Sequence, residues 1–126
     1  MSLNDAAAMV AFINVSDRDR ALGFYCDTLG LSVRSSDGYG DFLAAGPGLI
    51  RMTVLPGATA ALHPVLGWNV ADIGAEVRDL TARGVAFTRY DGLEQDALGI
   101  WTSPENGSKI AFFADPDGNV LTVSQA

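Results

Sequence analysis

A chain of 126 residues, 48% hydrophobic and 18% charged, is one domain's worth of globular sequence and is too apolar to be disordered. Its net charge of −7 argues against nucleic acid and against an anionic membrane as partners, because phosphate surfaces are bound by basic ones. The apolar runs are short and broken by Gly, Pro or charge, so no transmembrane helix is expected. The first residues carry neither a basic segment nor a long apolar one, so no signal peptide is expected either. Cys26 is the sole cysteine and excludes an intrachain disulfide, which makes the cytoplasm the expected compartment.

In chain order, residues 8–15 form an apolar run with Val, Phe and Ile that predicts a strand. Ser16 followed by Asp19 fits a helix N-cap with an acid at the third helical position. Ala21, Phe24, Tyr25 and Leu29 then fall on one helical face, and Gly30 stops the helix. "LSVRS" restarts a strand, and "DFLAA" and "LIRMTVL" flank the turn Gly46-Pro47-Gly48. Residues 57–64 read as a linker. After it, "PVLGWNV" predicts a strand, Asp72 an N-cap, and Ile73, Val77 and Leu80 a buried helical stripe ended by Gly84. "VAFTRY" restarts a strand. Residues 91–108 form a long loop with room for a short strand at Gly99–Thr102, and "KIAFFA" and "NVLTVSQ" flank the turn Asp115-Pro116-Asp117-Gly118.

Asp17 and Asp72 lie 55 residues apart at matching places in these two stretches. The chain therefore repeats one β-α-β-β-β unit, over about 8–56 and about 65–126, and its fold class is α+β. No GxSxG, phosphate loop or GxGxxG helix start occurs. "DPDGN" lacks the spacing and terminal Glu of a calcium loop, so its carboxylates are expected to serve the turn.

Two such modules, with "VSDRDRALGFYCDTLGL" in the first, "VADIGAEVRDLTARGV" between, and "FFADPDGNVLTV" in the second, resemble the vicinal oxygen chelate superfamily. That group includes glyoxalases, extradiol dioxygenases, and fosfomycin- and bleomycin-resistance proteins. The resemblance implies a single domain of eight strands curled into an open cup, helices outside and ligand inside. It also implies metal ligands on the first and last strands of each module. Counted from the motifs, those positions are Val10, Arg51 (or Thr53), Val65 and Thr122. Valine has no donor atom and arginine is a permanent cation, so no metal ligand set and no cofactor are expected.

Strand alternation, with the register taken from the resemblance, turns Phe12, Asn14, Arg51, Thr53, Asn69 and Thr122 inward. Trp101 flanks the long loop and joins them as a candidate ligand-binding residue. An apolar lining with a few polar groups suits a small organic molecule, anionic or aromatic. Arg51 points to a carboxylate or phosphate on it, or else pairs with Asp41 or another acid and closes the cup. No catalytic residue is identified, and the expected function is metal-free binding. The alternative is an enzyme of the lyase, isomerase or dioxygenase type, using His63 with Asp41, Glu94 or Asp96, or His63 or Tyr90 without metal. His63 reads more readily as an exposed linker residue, and Trp101 equally as a cover for the sheet edge. A homodimer is expected from the architecture of relatives and from the prevalence of two-fold oligomers.

Overall fold

The computed structural model describes residues 3–126, which fall into two compact units, one ending at Thr59 and the other running Ala60–Ala126. In the first, a short helix α1 (Leu3–Ala6) precedes β1 (Val10–Val15), α2 (Arg18–Leu22), β2 (Ser32–Asp37), β3 (Gly40–Ala45) and β4 (Gly48–Val54). The sheet order is β1-β4-β3-β2, with β1 parallel to β4 and the other pairs antiparallel. In the second, β5 (Pro64–Asn69), α3 (Ile73–Ala82), β6 (Trp101–Thr102), β7 (Lys109–Ala114) and β8 (Val120–Gln125) give the order β5-β8-β7-β6, again with the first strand parallel to the last. The fold is α+β, built from tandem modules of one topology.

Alternation decides what each sheet buries. Ile13, Val15, Leu43, Ile50 and Met52 are buried on the helix side of the first sheet, whereas Phe12 on β1 is 72% exposed. Ala111, Phe113, Leu121 and Val123 play the same part in the second. Burying one such side chain contributes about 1.5–3 kcal/mol, so these strands supply most of the driving force for each unit.

Helix α2 starts one residue later than the sequence suggested. Asp17, not Ser16, is the N-cap: its backbone is extended and its carboxylate accepts from Arg20 N at 3.0 Å. A carboxylate also gains from the helix dipole, which a hydroxyl does not. Ser16 Oγ instead accepts from Arg20 Nη2. From Gly23, the residue of weakest helix preference here, the coil loosens into a π-helical stretch, Gly23–Thr28. Leu29 N reaches back to Phe24 O, and Leu31 N to Tyr25 O, around Gly30 at φ 82°. Ala21 and, within the wider coil, Tyr25 are fully buried, with Phe24 set edge-on against Tyr25.

Helix α3 follows its sequence pattern. Ile73, Val77 and Leu80 are buried, and α3 packs on β7 and β8. Asp72 caps it by accepting from Ala75 N at 3.1 Å. Asp72→Ala is expected to cost about 1 kcal/mol, seen as a lower urea midpoint, and an unchanged midpoint would deny this cap any energetic role.

The expected strand "VAFTRY" is not one. Residues 85–90 run irregularly, with Thr88 N donating to Phe112 O as their link to the sheet. The Gln95 side chain takes the place of a strand neighbour: its Nε2 donates to Thr88 O and Gly99 O, and its Oε1 accepts from Tyr90 N. The edge position passes to β6, within the loop stretch Gly99–Thr102, where Trp101 and Thr102 pair with Ile110 and Lys109. The Asp115 loop is a turn. Asp115 Oδ1 accepts from Asp117 N and Asn119 N, and Asn119 Nδ2 donates to Oδ2.

Candidate functional site

The side of the first sheet away from Ile13 and Met52 carries a row of cross-strand neighbours: Phe12 on β1, Arg51 on β4, Phe42 on β3 and Ser35 on β2. Beside it runs a second row, Asn14, Thr53, Gly40 and Asp37. The sheet thus brings together four of the residues singled out by sequence: Phe12, Asn14, Arg51 and Thr53.

Arg51 is the centre of this face. Its side chain is only 12% exposed. The guanidinium lies 4.9 Å from the centroid of the Phe42 ring, in cation–π contact. Its Nη2 donates to Asp37 Oδ1 at 2.9 Å. Its Nη1 is buried and, among the described residues, has no hydrogen-bond partner. Asp37 is half-exposed and also accepts from Tyr39 N and Gly40 N. The hydrogen bond from Arg51 is the main reason its carboxyl is held below the ordinary value of 3.8. Its share of stability is therefore present above that value and is lost as pH falls through the lowered one.

Of the acids proposed for Arg51, Asp41 is not its partner. Asp41 neighbours Met52 across the β3–β4 ladder, so it points to the helix side and is 2% exposed. There it accepts from Ser36 Oγ and from Arg18 Nε. Arg18 Nη2 also donates to Asp37 O and Gly40 O, pinning the β2–β3 turn to the start of α2. Sequence reasoning missed both Asp37 and Phe42. Only the strand register reveals them: Asp37 ends one arm of the β2–β3 hairpin, and Phe42 lies opposite Arg51 across the β3–β4 ladder.

The second module has the matching row, but its chemistry differs. Gly67 on β5 neighbours Thr122 on β8, which neighbours Phe112 on β7. Thr122 is 8% exposed, and its Oγ1 fills the space a side chain at residue 67 would need. Tyr90 stands edge-on to Phe112 with centroids 5.2 Å apart. Asn69, Ser124, Ile110 and Trp101 line a groove of about 310 Å³ with Lys109 and Gln125. Lys109 Nζ is held by Thr102 Oγ1, and Gln125 Oε1 accepts from Ile73 N.

The four positions that the resemblance assigns to metal ligands do not fit a cation. Val10 and Val65 offer hydrocarbon, Arg51 is a cation already paired to Asp37, and the Thr122 hydroxyl is packed against Gly67. Among the described residues, no group of three or more His, Cys, Asp or Glu is placed to hold a metal. The residues weighed for an enzyme have other surroundings. His63 is exposed with Nδ1 3.3 Å from Pro64 O, Glu94 is exposed, and Asp96 Oδ1 accepts from Leu98 N and Ile100 N. The Cys26 thiol is pushed up by burial and by Asp27 and Asp41, the reverse of what a nucleophile requires. No helix among the described residues is long and apolar enough to cross a membrane.

Comparison with solved structures returns the same architecture. The glyoxalase family protein from Enterococcus faecalis matches with a TM-score of 0.75 at 19% identity, over 98% of this chain and 99% of that one. Lactoylglutathione lyase from Agrobacterium tumefaciens gives 0.69 at 21%, over 96% and 94%. TnmS3, an antibiotic binding protein from a Streptomyces species, gives 0.64 at 22%, over 95% of each chain. A search of curated proteins returns no match. The family model described as Glyoxalase/Bleomycin resistance protein/Dioxygenase superfamily spans residues 6–123, which takes in both β-α-β-β-β modules, and this chain is a member of that superfamily.

Proposed function

We propose that this protein binds a small organic molecule without a metal ion, on the face of its first sheet that carries Phe12, Asn14, Arg51 and Thr53. The observation that carries this reading is the buried Arg51 Nη1, which has no acceptor among the described residues. A buried charged donor left unsatisfied costs more than the roughly 1–3 kcal/mol of a neutral one, so a ligand oxygen that reaches it past the atoms covering it would be its complement. Phe42 and Phe12 supply apolar area on either side of it. The fold is shared with an antibiotic binding protein, which supports binding as a use of this scaffold.

The test is a binding screen of small aromatic and oxygen-rich compounds in the presence of a chelator, read by thermal shift and confirmed by calorimetry. Hits are expected to survive chelation and to weaken about ten- to a hundred-fold in Arg51→Gln, which removes a charge-assisted hydrogen bond. Hits that vanish on chelation, or that bind Arg51→Gln as well as the native protein, would overturn the reading.

A further inference from the structure

We infer that Asp37 sets the ligand class: it leaves Arg51 able to take a neutral carbonyl-type oxygen on an aromatic molecule in preference to a carboxylate or phosphate. The inference rests on the Arg51 reading above and narrows it. Arg51 alone would point to an anion, as its sequence position suggested. The geometry changes that. Nη2 is occupied by Asp37 Oδ1 at 2.9 Å, so one full negative charge already sits on the guanidinium. Nη1 and Nη2 share one carbon, which keeps an acceptor on Nη1 within roughly 7 Å of the Asp37 oxygen on Nη2. A second carboxylate there would meet that charge across a short gap, and a chain of net charge −7 adds no attraction for it.

A neutral oxygen satisfies Nη1 and avoids this repulsion. Asp37 cannot turn away easily, because the same Oδ1 accepts from Tyr39 N at 2.8 Å and Gly40 N at 3.1 Å. The turn between β2 and β3 thereby fixes the charge beside Arg51. The aromatic part of the ligand follows from Phe12, an exposed ring next to Arg51 across the β1–β4 ladder.

The experiment compares 1-naphthamide with 1-naphthoate, two probes of one shape and different charge, by calorimetry on the native protein, Asp37→Asn and Arg51→Gln. Asp37→Asn keeps an oxygen to accept from Tyr39 N and Gly40 N; Asp37→Ser, with an unchanged melting temperature as control, is the second variant. The native protein is expected to bind the amide at least about tenfold more tightly than the acid. Asp37→Asn and Asp37→Ser are expected to strengthen acid binding about tenfold and leave the amide within about twofold. Arg51→Gln is expected to weaken both. A native preference for the acid, or a ratio unmoved by both Asp37 variants, overturns the inference. So does a failure of both probes to bind where other screened compounds bind through Arg51; in that case the Arg51 reading itself survives. Probe binding that is indifferent to Arg51→Gln overturns both.

Discussion

Gly40→Ala is expected to destabilise the first module by about 3 kcal/mol or more, a large share of the roughly 5–15 kcal/mol that holds a domain together. Gly40 opens β3 opposite Thr53, and a methyl group there would run into the carbonyl of Met52 and come within 3.0 Å of Thr53 Cα. These are backbone atoms of a central strand and cannot swing aside as a side chain would. Either the end of the β3–β4 ladder opens, breaking Val54 N to Tyr39 O, or Met52 is driven from a site where it is fully buried. The Arg18 clamp on Gly40 O would be disturbed in either case. Gly38→Ala, two residues earlier, is the control: nothing lies within 4 Å of the added methyl, and a change within about 0.5 kcal/mol is expected. Equal urea midpoints for the two variants would show that the ladder accommodates residue 40 freely, against this account.

Phe113→Ala is expected to cost about 3–5 kcal/mol in the second module. Phe113 is 1% exposed, neighbours Leu121 across the β7–β8 ladder, and meets Phe87 with ring centroids 5.5 Å apart. Removing the ring leaves a cavity among groups fixed by two strands, and the irregular segment holding Phe87 loses its anchor. Phe12→Ala offers the contrast within one residue type, because Phe12 is 72% exposed and should give a near-neutral change in stability. The comparison is made by chemical denaturation of both variants. A Phe113→Ala loss below about 1 kcal/mol would place the core of this module elsewhere.

The fold was legible where local pattern and tertiary burial agree. The alternation of Ala11, Ile13 and Val15 against Phe12 and Asn14, and the stripe Ile73–Val77–Leu80, mark both the element and its buried face. Where a single side chain overrides the pattern, the sequence misleads. "VAFTRY" has strand composition, but Gln95, a few residues further on, meets the hydrogen-bonding needs of Thr88 and Tyr90, and no periodicity announces that. The N-cap slipped by one residue because Ser16 and Asp17 are both good caps, and only backbone geometry chooses between them. At the candidate site, alternation grouped Phe12, Asn14, Arg51 and Thr53. The partner of Arg51 was not legible, since choosing Asp37 over Asp41 requires knowing which side of the hairpin each occupies.

The two modules answer each other strand for strand, yet Phe12–Arg51–Phe42 in one is Gly67–Thr122–Phe112 in the other. An unaltered repeat would offer two equivalent seats. Here one copy fills its row by close packing, with a hydroxyl in the gap above a glycine, while the other keeps an arginine that is paired to Asp37 through one nitrogen and unpartnered at the other, against the Phe42 ring. On the proposed reading, duplication supplied the architecture and divergence assigned the labour: one half serves as ballast, and the chain carries one seat instead of two.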